Sequence, residues 1–114
     1  MCKCGEILLV NYPFTDHSGS KVRPVLVVSA DRFNQGDDIV VVPISSVFRD
    51  DDQYAFPVRA SDSYFRQTGL RGPSRIKWTK PMPISERVAH RRLGSLASRP
   101  LTEVRARVRS LFQE

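Results

Sequence analysis

The side chains best suited to chemistry gather where a polar stretch turns into an apolar run, Ser18-Gly19-Ser20-Lys21-Val22-Arg23-Pro24-Val25-Leu26-Val27-Val28-Ser29. Gly19 and the serines permit unusual backbone angles, as a loop requires. Pro24 fixes its own φ and holds Arg23 extended, and its missing N–H suits the first residue of a strand. Val25 to Val28 then read as a buried strand. One guanidinium, on Arg23, therefore stands where a loop meets a strand, with Lys21 as a second charge nearby. This is the arrangement of an anion clamp. The same residues also read as a plain loop whose arginine neutralises a carboxylate, because short motifs match by accident.

Two further stretches carry reactive types. Ser45-Ser46 directly follow the apolar run Ile39 to Ile44, again where a strand becomes a loop. Arg75-Ile76-Lys77-Trp78-Thr79-Lys80, read as a strand, sets Ile76 and Trp78 on one face and Arg75, Lys77 and Thr79 on the other. Alternation then puts Lys77 and Lys80 on opposite faces. Asp50-Asp51-Asp52 reads as a solvated turn, since three adjacent carboxylates cannot easily face one ion. Cys2 and Cys4 make at most half of a zinc site, and His17 and His90 have no ligand spacing relative to them. They read as reduced thiols near a frayed terminus.

The elements that must position these groups are short. Glu6 to Tyr12 reads as a first strand, Pro24 to Ser29 as a second and Ile39 to Ile44 as a third, with Pro43 implying a bulge or an edge. Tyr54, Phe56 and Val58 alternate as a half-buried strand. Residues 60–73, punctuated by Gly69, Gly72 and Pro73, read as a loop. Pro81 and Pro83 argue against regular pairing beyond Lys80, and Arg91-Arg92-Leu93-Gly94 reads as a strand end and turn. The clearest helix is the last: Leu101, Val104, Val108 and Leu111 form one stripe, Ser98 is the expected N-cap, and Glu103 can pair with Arg107. Arg105 and Arg109 fall away from that stripe. Five or six short strands with one C-terminal helix imply a small curved antiparallel sheet or partly open barrel.

Composition sets the bounds. A chain of 114 residues, 40% of them hydrophobic, fits one globular domain spanning 1–114. It has no apolar run long enough for a membrane span and no signal-peptide pattern, so a cytoplasmic location is expected. Residues 1–62 hold 6 Lys+Arg and 9 Asp+Glu, whereas residues 63–114 hold 12 and 3. That asymmetry favours a polyanionic partner for the second half, either nucleic acid or an acidic protein segment.

The ordered set Gly5-Glu6-Ile7, Val22-Arg23-Pro24 with its following strand, Val40-Val41-Val42-Pro43-Ile44-Ser45-Ser46, Pro73-Ser74-Arg75-Ile76 running on to Lys80-Pro81, and Arg92-Leu93-Gly94 with the terminal helix resembles the MazF/PemK/Kid toxins of type II toxin–antitoxin modules. The resemblance covers nearly the whole chain. It implies a mainly β (α+β) fold, a small SH3-like curved antiparallel barrel with helical additions, assembled as a homodimer. It also implies an endoribonuclease without metal or other cofactor that cuts single-stranded RNA, and a cognate antitoxin that blocks the RNA groove. The gyrase poison CcdB shares the fold, so a binding-only toxin, or an inactive relative, remains an alternative.

Carried over position by position, the family's arginine before proline matches Arg23, and the threonine after its third strand matches Ser45, which keeps a hydroxyl. A polar or His residue in the family's loop matches His17. The Arg–x–Asp–Gln segment of some members matches Lys77-Trp78-Thr79-Lys80, with Thr79 where the carboxylate would be. In-line attack by a 2′-OH leaves a 2′,3′-cyclic phosphate and a 5′-OH. It needs a base, charge stabilisation and an acid. Arg23 suits the charge, since its fork matches two phosphate oxygens. Ser45 can donate to the same phosphate or cap its loop. His17 has the pKa range of a base or acid at neutral pH. Lys21, Arg75, Lys77 and Lys80 are candidate RNA-binding cations, and Phe14 a candidate base-stacking ring.

Overall fold

The computed structural model describes residues 2–12 and 21–114, with Tyr12 and Lys21 described by backbone alone. Its strands are β1 (Glu6–Tyr12), β2 (Lys21–Val27), β3 (Asp38–Ser45), β4 (Phe56–Val58), β5 (Ser74–Ile76), β6 (Met82–Ser85) and β7 (Ala89–Ser95). Two helices, α1 (Phe65–Thr68) and α2 (Ser98–Ser110), complete the regular structure with short 3-10 turns at Phe33–Gln35 and Glu86–Val88. The strands form one antiparallel sheet in the order β4-β5-β3-β2-β1-β7, with β6 pairing β3. Its path ends at β4 and β7, so the sheet is curved and open rather than closed.

Both faces of the central strands are buried, which is why their apolar runs are continuous rather than alternating. Leu26 and Val28 of the second run, with Ile7, Val42, Ile44, Ile76 and Trp78, pack on one face under Val104 of α2. Val25 and Val27 pack on the other face with Leu8, Val10, Ile39, Val41 and Ile84. Arg105 joins helix to sheet: its Nε donates to the Val28 carbonyl at 2.9 Å, so it does not lie free of the packed side as the helical stripe implied. The expected Glu103–Arg107 pair forms at 3.0 Å.

Two prolines explain the strand boundaries. Pro43 lies inside a central strand, in register with Val25 of β2, not at an edge or bulge. In an antiparallel strand a residue's N–H and C=O point to the same side. The Pro43 carbonyl accepts from the Lys77 N–H at 2.9 Å, so its missing N–H faces the same side. There the partner of β3 changes from β6, which pairs Asp38–Val41, to β5, which pairs Ile44 and Ser45. Pro83 also sits in a paired strand, opposite Val40. The Val40 carbonyl accepts from Val28 on the β2 side, so the Val40–Pro83 pair is a non-hydrogen-bonded one and needs no N–H from Pro83.

Other boundaries shift. The stretch 60–73 contains α1, and β7 is a full strand where a strand end and turn were expected. Both follow from close packing that sequence periodicity does not register. Gly69 ends α1 at φ +72°, and a Cβ there would lie 2.1 Å from the Leu93 carbonyl oxygen. A Cβ on Gly94 would lie 2.2 Å from the Gln67 carbonyl oxygen. The helix thus presses directly on the strand. The N-cap of α2 is Ala97, not Ser98, which opens the helix. Tyr54 precedes β4 and is exposed. The N-terminal segment from Cys2 onward is docked rather than frayed: Cys4 N–H donates to Asp31 Oδ1 at 2.7 Å, and Cys2 packs against the second core cluster. Both thiols are free, and burial pushes both upward in pKa.

Candidate functional site

The register of the sheet puts the candidate groups on one face. The β2–β3 ladder pairs Val27 with Val41, Leu26 with Val42 and Val25 with Pro43. The ladder ends at Val25 and Pro43; extended by two residues, its register would set Arg23 opposite Ser45. On the other side of β3, Ser45 pairs with Arg75 of β5. Directly cross-strand residues share a face, so Arg23, Ser45 and Arg75 lie on the face of Val25 and Val41. Lys77, across from Pro43, belongs to the next row of that face.

Ser45 ends β3 and is half-buried. Its Oγ accepts from the Val47 N–H at 3.2 Å, which caps the loop that follows. Arg23 is half-exposed on β2. Arg75 is buried, with 8% of its surface exposed, and its guanidinium is engaged. Nε donates to the Val47 carbonyl at 2.7 Å and Nη1 to Asp52 Oδ2 at 2.5 Å. Arg75 thus fastens the 46–54 loop to β5 and has little surface to offer a ligand. Asp52 is not the solvated carboxylate that its triplet implied. The Tyr54 N–H, at 2.9 Å, and the Arg75 guanidinium hold its carboxyl below the usual carboxylate range. Asp50 and Asp51 remain exposed.

The strand expected over 75–80 stops at Ile76. The Trp78 N–H donates to the Ile76 carbonyl at 3.0 Å and the Lys80 N–H to the Lys77 carbonyl at 3.2 Å, so residues 77–80 form a tight turn. Strict alternation therefore fails here. Lys77 and Lys80 are electrostatic neighbours, not residues on opposite faces. Burial first, then Lys80, Arg75 and Arg49, lower the pKa of Lys77 against an opposing effect of Asp52. Thr79 is half-buried within the turn. Trp78 packs into the core beside Tyr54, ring centroids 6.4 Å apart.

Of the remaining candidates, His17 and Phe14 lie outside the described residues, as does the side chain of Lys21. Sequence reasoning missed Arg49 and Asp52. Their signal was the placement of a cation and a carboxylate in the loop directly after Ser45, but only the fold shows that the loop returns to β5. Among the described residues, no three His, Cys, Asp or Glu side chains gather as a metal site, and no helix is long and apolar enough to cross a membrane.

A groove of about 520 Å³ opens on the opposite face of β2, lined by Leu9, Val22, Pro24, Phe48, Leu70 and Leu93 among others. Arg71 and Arg91 flank it. It is separate from the Arg23–Ser45 row, because Val22 and Pro24 alternate with Arg23 along the strand.

Comparison with known proteins gives a consistent result. Residues 3–112 match the family described as "PemK-like, MazF-like toxin of type II toxin-antitoxin system". Among solved structures, the chain is similar to the Mycobacterium tuberculosis toxin MazF-mt6, with 21% identity, 94% of this chain and 95% of that one covered, and a TM-score of 0.70. It is similar to an endoribonuclease in complex with its cognate antitoxin from Mycobacterial species, with 15% identity, coverage of 100% and 98%, and a TM-score of 0.76. It also resembles a MazE-MazF structure from Deinococcus radiodurans, with 21% identity, coverage of 97% and 95%, and a TM-score of 0.75. No curated protein matches it in sequence.

Proposed function

Because the chain belongs to the PemK-like, MazF-like toxins of type II toxin–antitoxin systems, we propose that it is an endoribonuclease cutting single-stranded RNA by 2′-OH attack. The reading is supported by the β2–β3 register, which if extended two residues would set Arg23 opposite Ser45, and by the Ser45–Arg75 pair with Lys77 one row away. Arg23 offers two N–H groups in the geometry of two phosphate oxygens and stabilises the charge of the phosphorane. It stays protonated and serves as no base. Ser45 Oγ accepts from Val47, which leaves its O–H to donate to the same phosphate. Lys77 and Lys80 hold the flanking backbone. His17 and Thr79 remain the candidates for proton handling that the resemblance supplies, and Lys21 and Phe14 those for RNA contact. Arg75 acts through the loop that it fastens.

A cognate antitoxin as partner is supported by the solved endoribonuclease–antitoxin and MazE-MazF structures. A homodimer, action without metal and a cytoplasmic site of action are part of the same proposal.

The test is incubation of the purified chain with a long single-stranded RNA in EDTA, beside Arg23→Ala. Discrete fragments with 5′-OH ends from the native chain, reduced at least ~10²-fold in the variant, are expected. Intact RNA in both would overturn the reading in favour of a binding-only toxin, and trapped DNA breaks in a gyrase assay would identify one of that kind.

A further inference from the structure

The loop that follows Ser45 is held largely by polar contacts. From Ser46 to Asp52 only Phe48 and Asp52 are half-buried, and the rest are exposed. Val47 has 62% of its surface exposed, so packing does not fix it. Two backbone hydrogen bonds do. Its N–H donates to Ser45 Oγ at 3.2 Å, and its carbonyl accepts from Arg75 Nε at 2.7 Å. Arg75 is itself held by Asp52, whose Oδ2 accepts from Nη1, while Oδ1 accepts from the Tyr54 N–H at 2.9 Å. The Tyr54 ring leans on Trp78, which is set in the core. A continuous chain of hydrogen bonds therefore runs from Tyr54 through Asp52, Arg75 and Val47 to the Ser45 hydroxyl. Arg75 is 8% exposed, and a guanidinium so buried takes its orientation from the carboxylate paired with it. With Nη1 on Asp52, Nε meets the Val47 carbonyl. The Val47 N–H then occupies one lone pair of Ser45 Oγ, which narrows the directions open to its O–H.

We propose that Asp52 is a positioning residue of the cleavage site: through Arg75 it fixes Val47, and through Val47 it sets the direction of the Ser45 hydroxyl. The assignment rests on the ribonuclease reading above, in which that hydroxyl donates to the phosphate. Asp52 touches neither the RNA nor the reacting atoms. Its work is done before the substrate arrives, because a donor already aimed at the developing charge needs no reorganisation during the reaction. The 46–54 loop thus gains from one carboxylate the order that its exposed side chains do not supply.

The test is a double-mutant cycle on one RNA in EDTA, with the native protein, Asp52→Asn, Ser45→Ala and the double variant. Asparagine matches aspartate in shape but has one acceptor oxygen where the carboxylate has two. Asp52→Asn should lower kcat about 10-fold or more, with KM within a few-fold of native. In the Ser45→Ala background the same substitution should change the rate by less than about two-fold. Arg75→Lys, whose ammonium cannot hold Val47 and Asp52 in the same planar fork, should fall with Asp52→Asn. A second readout needs no RNA. Exchange of the Val47 amide should accelerate in Asp52→Asn, while that of Ile44, inside β3, stays as in the native protein. An equal loss in both backgrounds, as a general loosening of the fold or a simple effect of charge would give, would overturn the assignment and leave the ribonuclease intact. So would a native rate in Arg75→Lys, or a Val47 amide exchanging no faster in Asp52→Asn. Failure of the native protein to cut RNA would overturn the ribonuclease reading and this assignment with it. Thermal melts of the variants check that they fold.

Discussion

A hydroxyl that accepts one hydrogen bond still has one to give, and Ser45 shows why its two readings are compatible. Val47 N–H uses a lone pair of Oγ, so the cap orients the O–H without consuming it. Ser45→Ala should therefore lower cleavage through both the lost donor and the loosened loop, whereas Ser45→Thr should retain most of it; measured rates beside thermal melts separate these effects. Asp52 carries a second residue-scale expectation. Its carboxyl is held low in the folded protein, so the stabilisation from its contacts is fully present above its unfolded value. It is lost as pH falls through the folded value, below about pH 4. Exchange of the Tyr54 amide should accelerate in that acid range in the native protein, with no such step in Asp52→Asn, whose exchange should already be fast at neutral pH.

The elements obey packing where they depart from pattern. Gly94→Ala should destabilise the fold by about 2 kcal/mol or more, because its Cβ would strike backbone of α1 rather than a flexible side chain. Val104→Ala, a fully buried truncation in α2, should cost about 2 kcal/mol. Glu103→Ala should cost about 0.5 kcal/mol or less, as expected for an exposed i,i+4 pair. Chemical denaturation of the three variants checks the order. β1 was legible to the residue because an apolar run buried on both faces announces itself. The terminal helix was legible from its stripe, apart from the position of its cap. What was not legible depended on contacts distant in sequence. α1 is only one turn long and exists against β7. β6 carries a proline that only its non-hydrogen-bonded position makes tolerable. The turn at 77–80 broke the alternation on which the placement of the two lysines rested. Arg23 and Ser45 were readable as candidates, but the register that puts them on one face of the sheet was not.

For the whole molecule, the basic half of the sequence does not form one surface. Lys77 and Lys80 lie at the turn after β5, Arg71 and Arg91 flank the groove on the other face, and Arg105 and Arg107 belong to α2. Arg92 is paired with Glu6 at 3.0 Å. If RNA follows the Arg23–Ser45 row, few of these cations touch it. The logarithm of the affinity should then fall with the logarithm of salt at a slope of about −2 to −3, corresponding to three or four neutralised phosphates on a single strand. A much steeper slope would mean that RNA also engages the groove or the helix. Fluorescence anisotropy with a short RNA at several salt concentrations, using a cleavage-defective Arg23 variant, reads the slope directly.

The pairing of β7 with β1 joins the first strand to the last, Glu6 opposite Ser95. On the ribosome β1 is made long before β7. A nascent chain shorter than that has no partner for one edge of β1, and Gly5 lacks the Leu96 N–H that its carbonyl receives. The sheet can finish only after Leu96 has left the ribosome. A protein proposed to destroy messages would thus gain its shape only after its own message has been read through the codons of β7.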